Sequence, residues 1–169
     1  MNSVDDGILV LTTGGTIDKQ YFDALSQYQI TDTIVTKLLT IARVFHPYLV
    51  EEILRKDSID ITAEDRQRIV DRVRGASHSR IVITHGTDTM TATAAALSII
   101  SDKTIVLTGA LAPARFSESD GPFNLGMAFA AAQIAAAGIY IAMNGSIFPA
   151  NKVAKDRTQA RFALSDNGK

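Results

Sequence analysis

At 169 residues the chain is long enough for one domain that buries roughly 70% of its unfolded surface, and a single domain over residues 1–169 is expected. With 46% hydrophobic residues, 21% charged residues and a net charge of -1, it has no basic surplus to point to nucleic acid or an anionic membrane. The absence of cysteine excludes disulfides, thiolate metal sites and a cysteine nucleophile, and suits the cytoplasm.

The N-terminal MNSVDDGILVL places two acids ahead of a short apolar run, unlike a signal peptide, and no run approaches the ~18 to 20 apolar residues that span a bilayer. Residues 8–18, ILVLTTGGTID, read as a strand buried on both faces. Gly14 and Gly15 then let the chain turn sharply and present Thr16 at the exit. Alone, that glycine pair is only a turn; a second Thr-bearing glycine turn, in IVITHGTDT, gives it weight. Residues 19–29, with Tyr21, Phe22 and Tyr28, show no period and read as a loop. Residues 31–45 carry Ile34, Leu38, Ile41 and Phe45 at helical spacing, with Val35, Leu39 and Ala42 widening the stripe, until His46-Pro47 ends it.

Residues 48–54, YLVEEIL, predict a second strand that Glu51 and Glu52 mark as an edge, and residues 56–61 are its exit loop. Thr62, with Asp65 three positions on, opens a helix that buries Ile69, Val70, Val73 and Ala76. Residues 81–84, 104–108 and 139–143 are the third, fourth and fifth strands. Between them lie an Ala/Thr-rich helix over 88–100 and a small-residue helix over 123–137, preceded by Asp120-Gly121-Pro122. The remainder begins as loop, with a short extra strand at 161–164.

This alternation predicts an α/β fold with a mostly parallel, flavodoxin-like sheet of order 2-1-3-4-5 and helices on both faces. Ligands bind such sheets at the carboxyl ends of strands 1 and 3, here TTGGT and THGTDT. The neighbouring strand ends supply Ser58 and Asp60, and Gly109 and Ala110, so Thr16, Thr87, Asp88 and Ser58 gather around one crevice. A threonine hydroxyl becomes a nucleophile when a base takes its proton, which a Thr-carboxylate-Lys relay can do. Backbone N–H groups of glycine turns, those of Gly15 and Gly86, can stabilise an oxyanion. Equally, Thr87, Asp88 and Thr89 have the residue types that cap a following helix. Phosphate-loop, zinc and esterase motifs are missing, so no metal or cofactor is expected. His46, His78 and His85 are scattered, and His85 reads as a packed, hydrogen-bonded loop residue.

TTGGTIDK at 12–19, THGTDTM at 84–90, SDGPFNL at 119–125 and MNG followed by Lys155 together resemble the bacterial-type L-asparaginases, in order and over nearly the whole chain. The resemblance implies hydrolysis of L-asparagine to L-aspartate and ammonia without a cofactor. It casts Thr16 as nucleophile, Tyr21 as lid tyrosine, and Thr87, Asp88 and Lys155 as a second triad. It also implies that Ser58 holds the substrate α-carboxylate, Asp88 its α-amino group, and the Ala110 backbone its amide. Alternatives are a related amidohydrolase acting on glutamine or another small amide, or a catalytically weak amino-acid-binding domain.

Three departures stand out. Members of the family usually carry a second, C-terminal domain that lends a carboxylate to a neighbouring site, and nothing in this sequence corresponds to it. The lid is short, with four residues between Thr16 and Tyr21. Ile59 occupies a position that is usually polar; strand-like alternation would put Asp60 on the side of Ser58, and makes Asp60 the expected substitute. The small-residue helix over 123–137, packed on the sheet by one face and on another subunit by the other, predicts a homo-oligomer.

Overall fold

Residues 7–165 are described by the structure, a computed structural model. β1 (Ile8–Gly14) is buried along its whole length. Its unbroken apolar run requires this, because side chains leave both faces at a period of two and each face must find cover. Four further strands run parallel to it: β4 (Tyr48–Lys56), β5 (Arg80–Thr84), β6 (Thr104–Thr108) and β7 (Gly138–Met143). A sixth, β8 (Ser146–Pro149), returns antiparallel along β7 after Asn144 and Gly145 turn the chain at positive φ. The sheet order is β4-β1-β5-β6-β7-β8. The parallel strands therefore lie in the chain order second, first, third, fourth, fifth, but the sheet is not the expected five-stranded one, because β8 extends it beyond β7.

The two faces bury separate clusters. Leu9, Leu11, Ile81, Ile83, Ile105 and Leu107 pack beneath α2 (Ala63–Arg74) and α3 (Met90–Leu97). Ile8, Val10, Val82 and Val106 pack beneath α1 (Val35–Ile41) and α4 (Gly121–Ile134). Each fully buried Ile or Leu contributes about 1.5–3 kcal/mol, and a one-residue slip of any strand would exchange the two faces, so the register is tightly fixed. α2 starts as its sequence requires: Asp65 N–H donates to Thr62 Oγ1 at 3.2 Å while Thr62 N–H donates to Asp65 Oδ2 at 3.0 Å.

Several boundaries differ from the sequence expectation. α1 begins at Val35, not residue 31, because the Ile34 N–H is taken by the Asp18 carboxylate; Arg43 at φ 52 ends the helix early. Val35 and Leu39 are its buried face, whereas Ile41 and Phe45 are 66% and 101% exposed, so the stripe through 34, 38, 41 and 45 marks only the edge of the true one. Residues 19–29 are no loop. They form most of an antiparallel hairpin of β2 (Lys19–Phe22) and β3 (Gln27–Ile30), which turns through Ser26 in the left-handed region. Its strands are largely exposed, which is why no apolar period announced them. From 144 to 165 the chain folds as β8 and a second hairpin, β9 (Val153–Asp156) with β10 (Arg161–Leu164), of which only the strand at 161–164 was expected, anchored in the core by Val153 and Phe162. α4 begins at Gly121 with Pro122 in its first turn and ends at Ile134. Among the described residues no helix is long and apolar enough to cross a membrane.

Candidate active site

The carboxyl ends of β1 and β5 meet through their glycines. A methyl group added at Gly15 would fall 2.5 Å from the Gly86 nitrogen and 2.6 Å from its Cα. A methyl at Gly86 would in turn lie 2.7 Å from Ser58 Cβ and 2.8 Å from its Oγ. Glycine is required at Gly15 because backbone approaches backbone there and φ is 82, and at Gly86 because the buried Ser58 side chain fills the space a methyl would need. The switch point therefore presses together the turns that carry Thr16, Thr87 and Ser58. Beneath them, Thr13 Oγ1 donates to the Thr84 carbonyl at 2.8 Å and ties the two strand ends.

Thr16 opens a 3-10 turn, Thr16–Asp18, fixed from its far side. Ile17 is buried with Ile34, Ala110 and Ala114, and its carbonyl accepts from Ala114 N–H at 3.2 Å. Asp18 is buried and accepts from Ile34 N–H at 2.9 Å; burial raises its carboxyl above the usual range, with that hydrogen bond opposing. Arg115 Nη1 donates to the Asp18 carbonyl at 3.3 Å. Thr16 itself is half-buried, and its hydroxyl has no protein hydrogen bond among the described residues.

Thr87 and Asp88 do not cap α3. Lys155 Nζ donates to Thr87 Oγ1 at 2.7 Å and to Asp88 Oδ1 at 2.8 Å. Thr89, at the N-cap position, makes no side-chain cap either; its hydroxyl donates to the Ser58 carbonyl at 2.7 Å, and its N–H to Ser58 Oγ at 3.3 Å. The hydrogen bond from Lys155 holds the Asp88 carboxyl below its ordinary range, against some desolvation, with the charges of Lys155, Arg157 and Lys19 adding to the effect. Lys155 is aimed by the β9–β10 hairpin, where it pairs with buried Phe162 and shares a face with buried Val153.

His85 is wholly buried. One ring nitrogen lies 2.7 Å from the Gly86 carbonyl and the other 2.8 Å from Thr93 Oγ1, and desolvation lowers its pKa to about 4. It is a neutral scaffold residue with Nδ1–H facing the carbonyl, and neither nitrogen is free to act as a base. The SDGPFNL run is also scaffold. Asp120 accepts from the Leu111 and Ala112 N–H groups, Asn124 Nδ2 donates to the Gly109 carbonyl at 3.0 Å, and Ser119 Oγ donates to the Ala112 carbonyl at 2.7 Å. These bonds hold the loop that presents Ala110.

Not every predicted residue sits with this group. The Gly15 N–H donates to the Lys56 carbonyl at 3.0 Å and is thereby occupied. Ser58 and Asp60 lie in a 3-10 turn, Ser58–Asp60, where residues two apart point about 120° away from each other, so the alternation that linked them does not hold. Ser58 is buried; Asp60 is exposed and lines a depression of about 480 Å³ with Lys19, Tyr28 and Asp57. Tyr21 packs on Tyr28 with ring centroids 5.1 Å apart and lines a different depression with Ile34, Ala114 and Phe116. A cavity of about 610 Å³ between α3 and β7 is lined without a single charged side chain and lies apart from the glycine turns. Among the described residues, no group of three His, Asp or Glu side chains is placed to hold a metal ion.

With this geometry in view, residues 7–168 match the family model described as Asparaginase, N-terminal. The chain belongs to the asparaginase family. It is 34% identical over 154 residues to an L-asparaginase of Thermococcus kodakarensis, covering 88% of this chain and 47% of the relative. It is 43% identical over 94 residues to a glutaminase-asparaginase of Acinetobacter glutaminasificans, covering 53% and 28%. The solved structure of the thermostable L-asparaginase from Thermococcus kodakarensis superposes with a TM-score of 0.82 at 32% identity, over 94% of this chain and 51% of that one. The chain thus spans about half or less of the length of these relatives. The alternation of strands and helices placed Thr16, Thr87, Asp88 and Ser58 on neighbouring turns, and the structure brings those turns together. The engagement of Thr89 with Ser58, of Asp18 with Ile34, of Arg115 with the Asp18 carbonyl and of Lys19 with Asp57 had no sequence signal, because each partner is remote along the chain.

Proposed function

We propose that the chain supplies the catalytic turns of an amidohydrolase that converts L-asparagine to L-aspartate and ammonia without a cofactor. The observation that carries this reading is Lys155 Nζ held at once by Thr87 Oγ1 and Asp88 Oδ1 beside the Gly15–Gly86 contact. In this reading Thr16 Oγ attacks the side-chain amide carbon. Its proton passes into the Thr87, Asp88 and Lys155 group and returns to the departing ammonia; water then cleaves the Thr16 ester. Ser58 anchors the α-carboxylate, and Asp88 Oδ2, the carboxylate oxygen that does not receive Lys155, anchors the α-amino group. Gly86 and the Ala110 backbone face the amide oxygen, while Gly15 contributes close approach rather than a donor. Asp60 has no part, since it does not share a side with Ser58. Tyr21 is packed on Tyr28 and is given no step in this reading.

A relative named glutaminase-asparaginase makes glutamine the second reading. Anchors at both ends of the substrate backbone place a side chain one methylene longer with its amide carbon beyond the reach of Thr16, and a misplacement near 1 Å costs on the order of 10²-fold. Ammonia release by the purified protein is therefore expected to favour asparagine over glutamine by about 10-fold or more in kcat/KM. Equal values would mean that the anchors are wrongly assigned, and no release from either amide would leave a binding domain. The same proposal includes a homo-oligomer: the outer face of α4 shows Phe123 and Ile134, 64% and 86% exposed, to solvent. Light scattering tests it, and a monomer at assay concentration removes it.

A further inference from the structure

We infer that the Lys19–Asp57 ion pair is a positioning strap that holds the Thr16 turn and the Ser58 turn at the separation the proposed amide hydrolysis needs; it rests on that reading. Lys19 Nζ lies 2.7 Å from Asp57 Oδ2, with both side chains only about a quarter exposed, at 26% and 27%. Each partner belongs to one of the two turns. The Lys19 N–H closes the first by donating to the Thr16 carbonyl. Asp57 immediately precedes Ser58, and its carbonyl closes the second by accepting from Asp60 N–H at 3.0 Å.

The sheet ladder cannot set this separation unaided. β1 pairs with β4 in register from Ile8↔Tyr48 to Thr12↔Glu52, but Gly14 pairs with Lys56, so β4 takes up two extra residues where the turns begin to diverge. The Gly15 N–H to the Lys56 carbonyl is a last backbone tie, and the strap is the tie beyond it. Asp57 also restrains the cation itself. The charge of Lys19 already reaches Asp88, so an unpaired Lys19 competes with Lys155 for that carboxylate.

These relations predict an ordered series. Lys19→Met lowers kcat about tenfold while KM stays within about twofold, because Ser58 and Asp88 still hold substrate and only the nucleophile is misplaced. Lys19→Arg keeps the pair and recovers most of kcat. Asp57→Asn is worse than Lys19→Met, and adding Lys19→Met to Asp57→Asn relieves it. The melting temperature moves little throughout, since both partners still reach solvent and screening leaves such a pair little net stability. Wild-type kcat in Lys19→Met, an equal loss in Lys19→Arg, or no relief in the double variant overturns the strap. If the unaltered protein releases no ammonia, the hydrolysis reading fails separately. Hydrogen exchange over residues 16–22 and 57–60 then decides: faster exchange in Lys19→Met supports the strap, and unchanged exchange overturns it.

Discussion

Thr16→Ala is expected to lower kcat for ammonia release by about 10³-fold or more, with KM and the melting temperature nearly unchanged. The turn around Thr16 is fixed by its neighbours, not by its own hydroxyl. Ile17 is buried, Asp18 is bonded to Ile34, and Ala114 N–H holds the Ile17 carbonyl, whereas Thr16 Oγ1 has no protein partner among the described residues. Removing the hydroxyl therefore subtracts chemistry and leaves geometry. Thr16→Ser keeps the oxygen and should retain most of the rate. Thr87→Val is the necessary comparison, because Lys155 Nζ reaches Thr87 Oγ1 and a valine methyl cannot accept that bond. Burst kinetics locate the attacking group: an acyl intermediate that survives in Thr87→Val and is lost in Thr16→Ala assigns attack to Thr16. Full activity in Thr16→Ala transfers attack to Thr87.

What the sequence revealed and what it concealed follow from how each element is held. β1, β5 and β6 are buried on both faces, so their apolar runs could be read directly, and the switch point between β1 and β5 followed from chain order. Thr62 and Asp65 announced α2 because a capping box is local in sequence. The β2–β3 hairpin and the β9 half of the β9–β10 hairpin were hidden for the opposite reason, whereas β10 stands at the 161–164 expected. The first is mostly exposed and carries no core face, and the second has only Val153 to mark it. At the site, residue identity was legible but engagement was not. Thr87 and Asp88 have the residue types of a cap, and only the arrival of Lys155 from 67 positions on shows that they are bound elsewhere. Asp60 was placed beside Ser58 by strand alternation, and the chain had already left the strand there for a 3-10 turn.

Substitution of Lys155 should separate charge from proton transfer. Lys155→Met and Lys155→Arg are both expected to lower kcat by about 10²-fold or more, because neither side chain takes and returns a proton near neutral pH. Their pH profiles should nevertheless differ. In the unaltered chain Asp88 is held below its ordinary 3.8, first by the Lys155 hydrogen bond and then by the charges of Lys155, Arg157 and Lys19. A depressed carboxyl stays ionised at every pH above that lowered value. The stabilisation from the pair is thus fully present above the ordinary carboxylate range and fades only as pH falls through the lowered one. Asp88 therefore contributes no loss of activity between about pH 5 and 7 in the unaltered protein. Lys155→Arg keeps a cation beside Asp88, so its residual activity should fall on the acid side where the unaltered protein's does. Lys155→Met removes the largest cause of the depression, and its acid limb should move to higher pH. Turnover of Lys155→Arg at the unaltered rate would show that only a positive charge is needed to hold Thr87, and would remove Lys155 from the proton path.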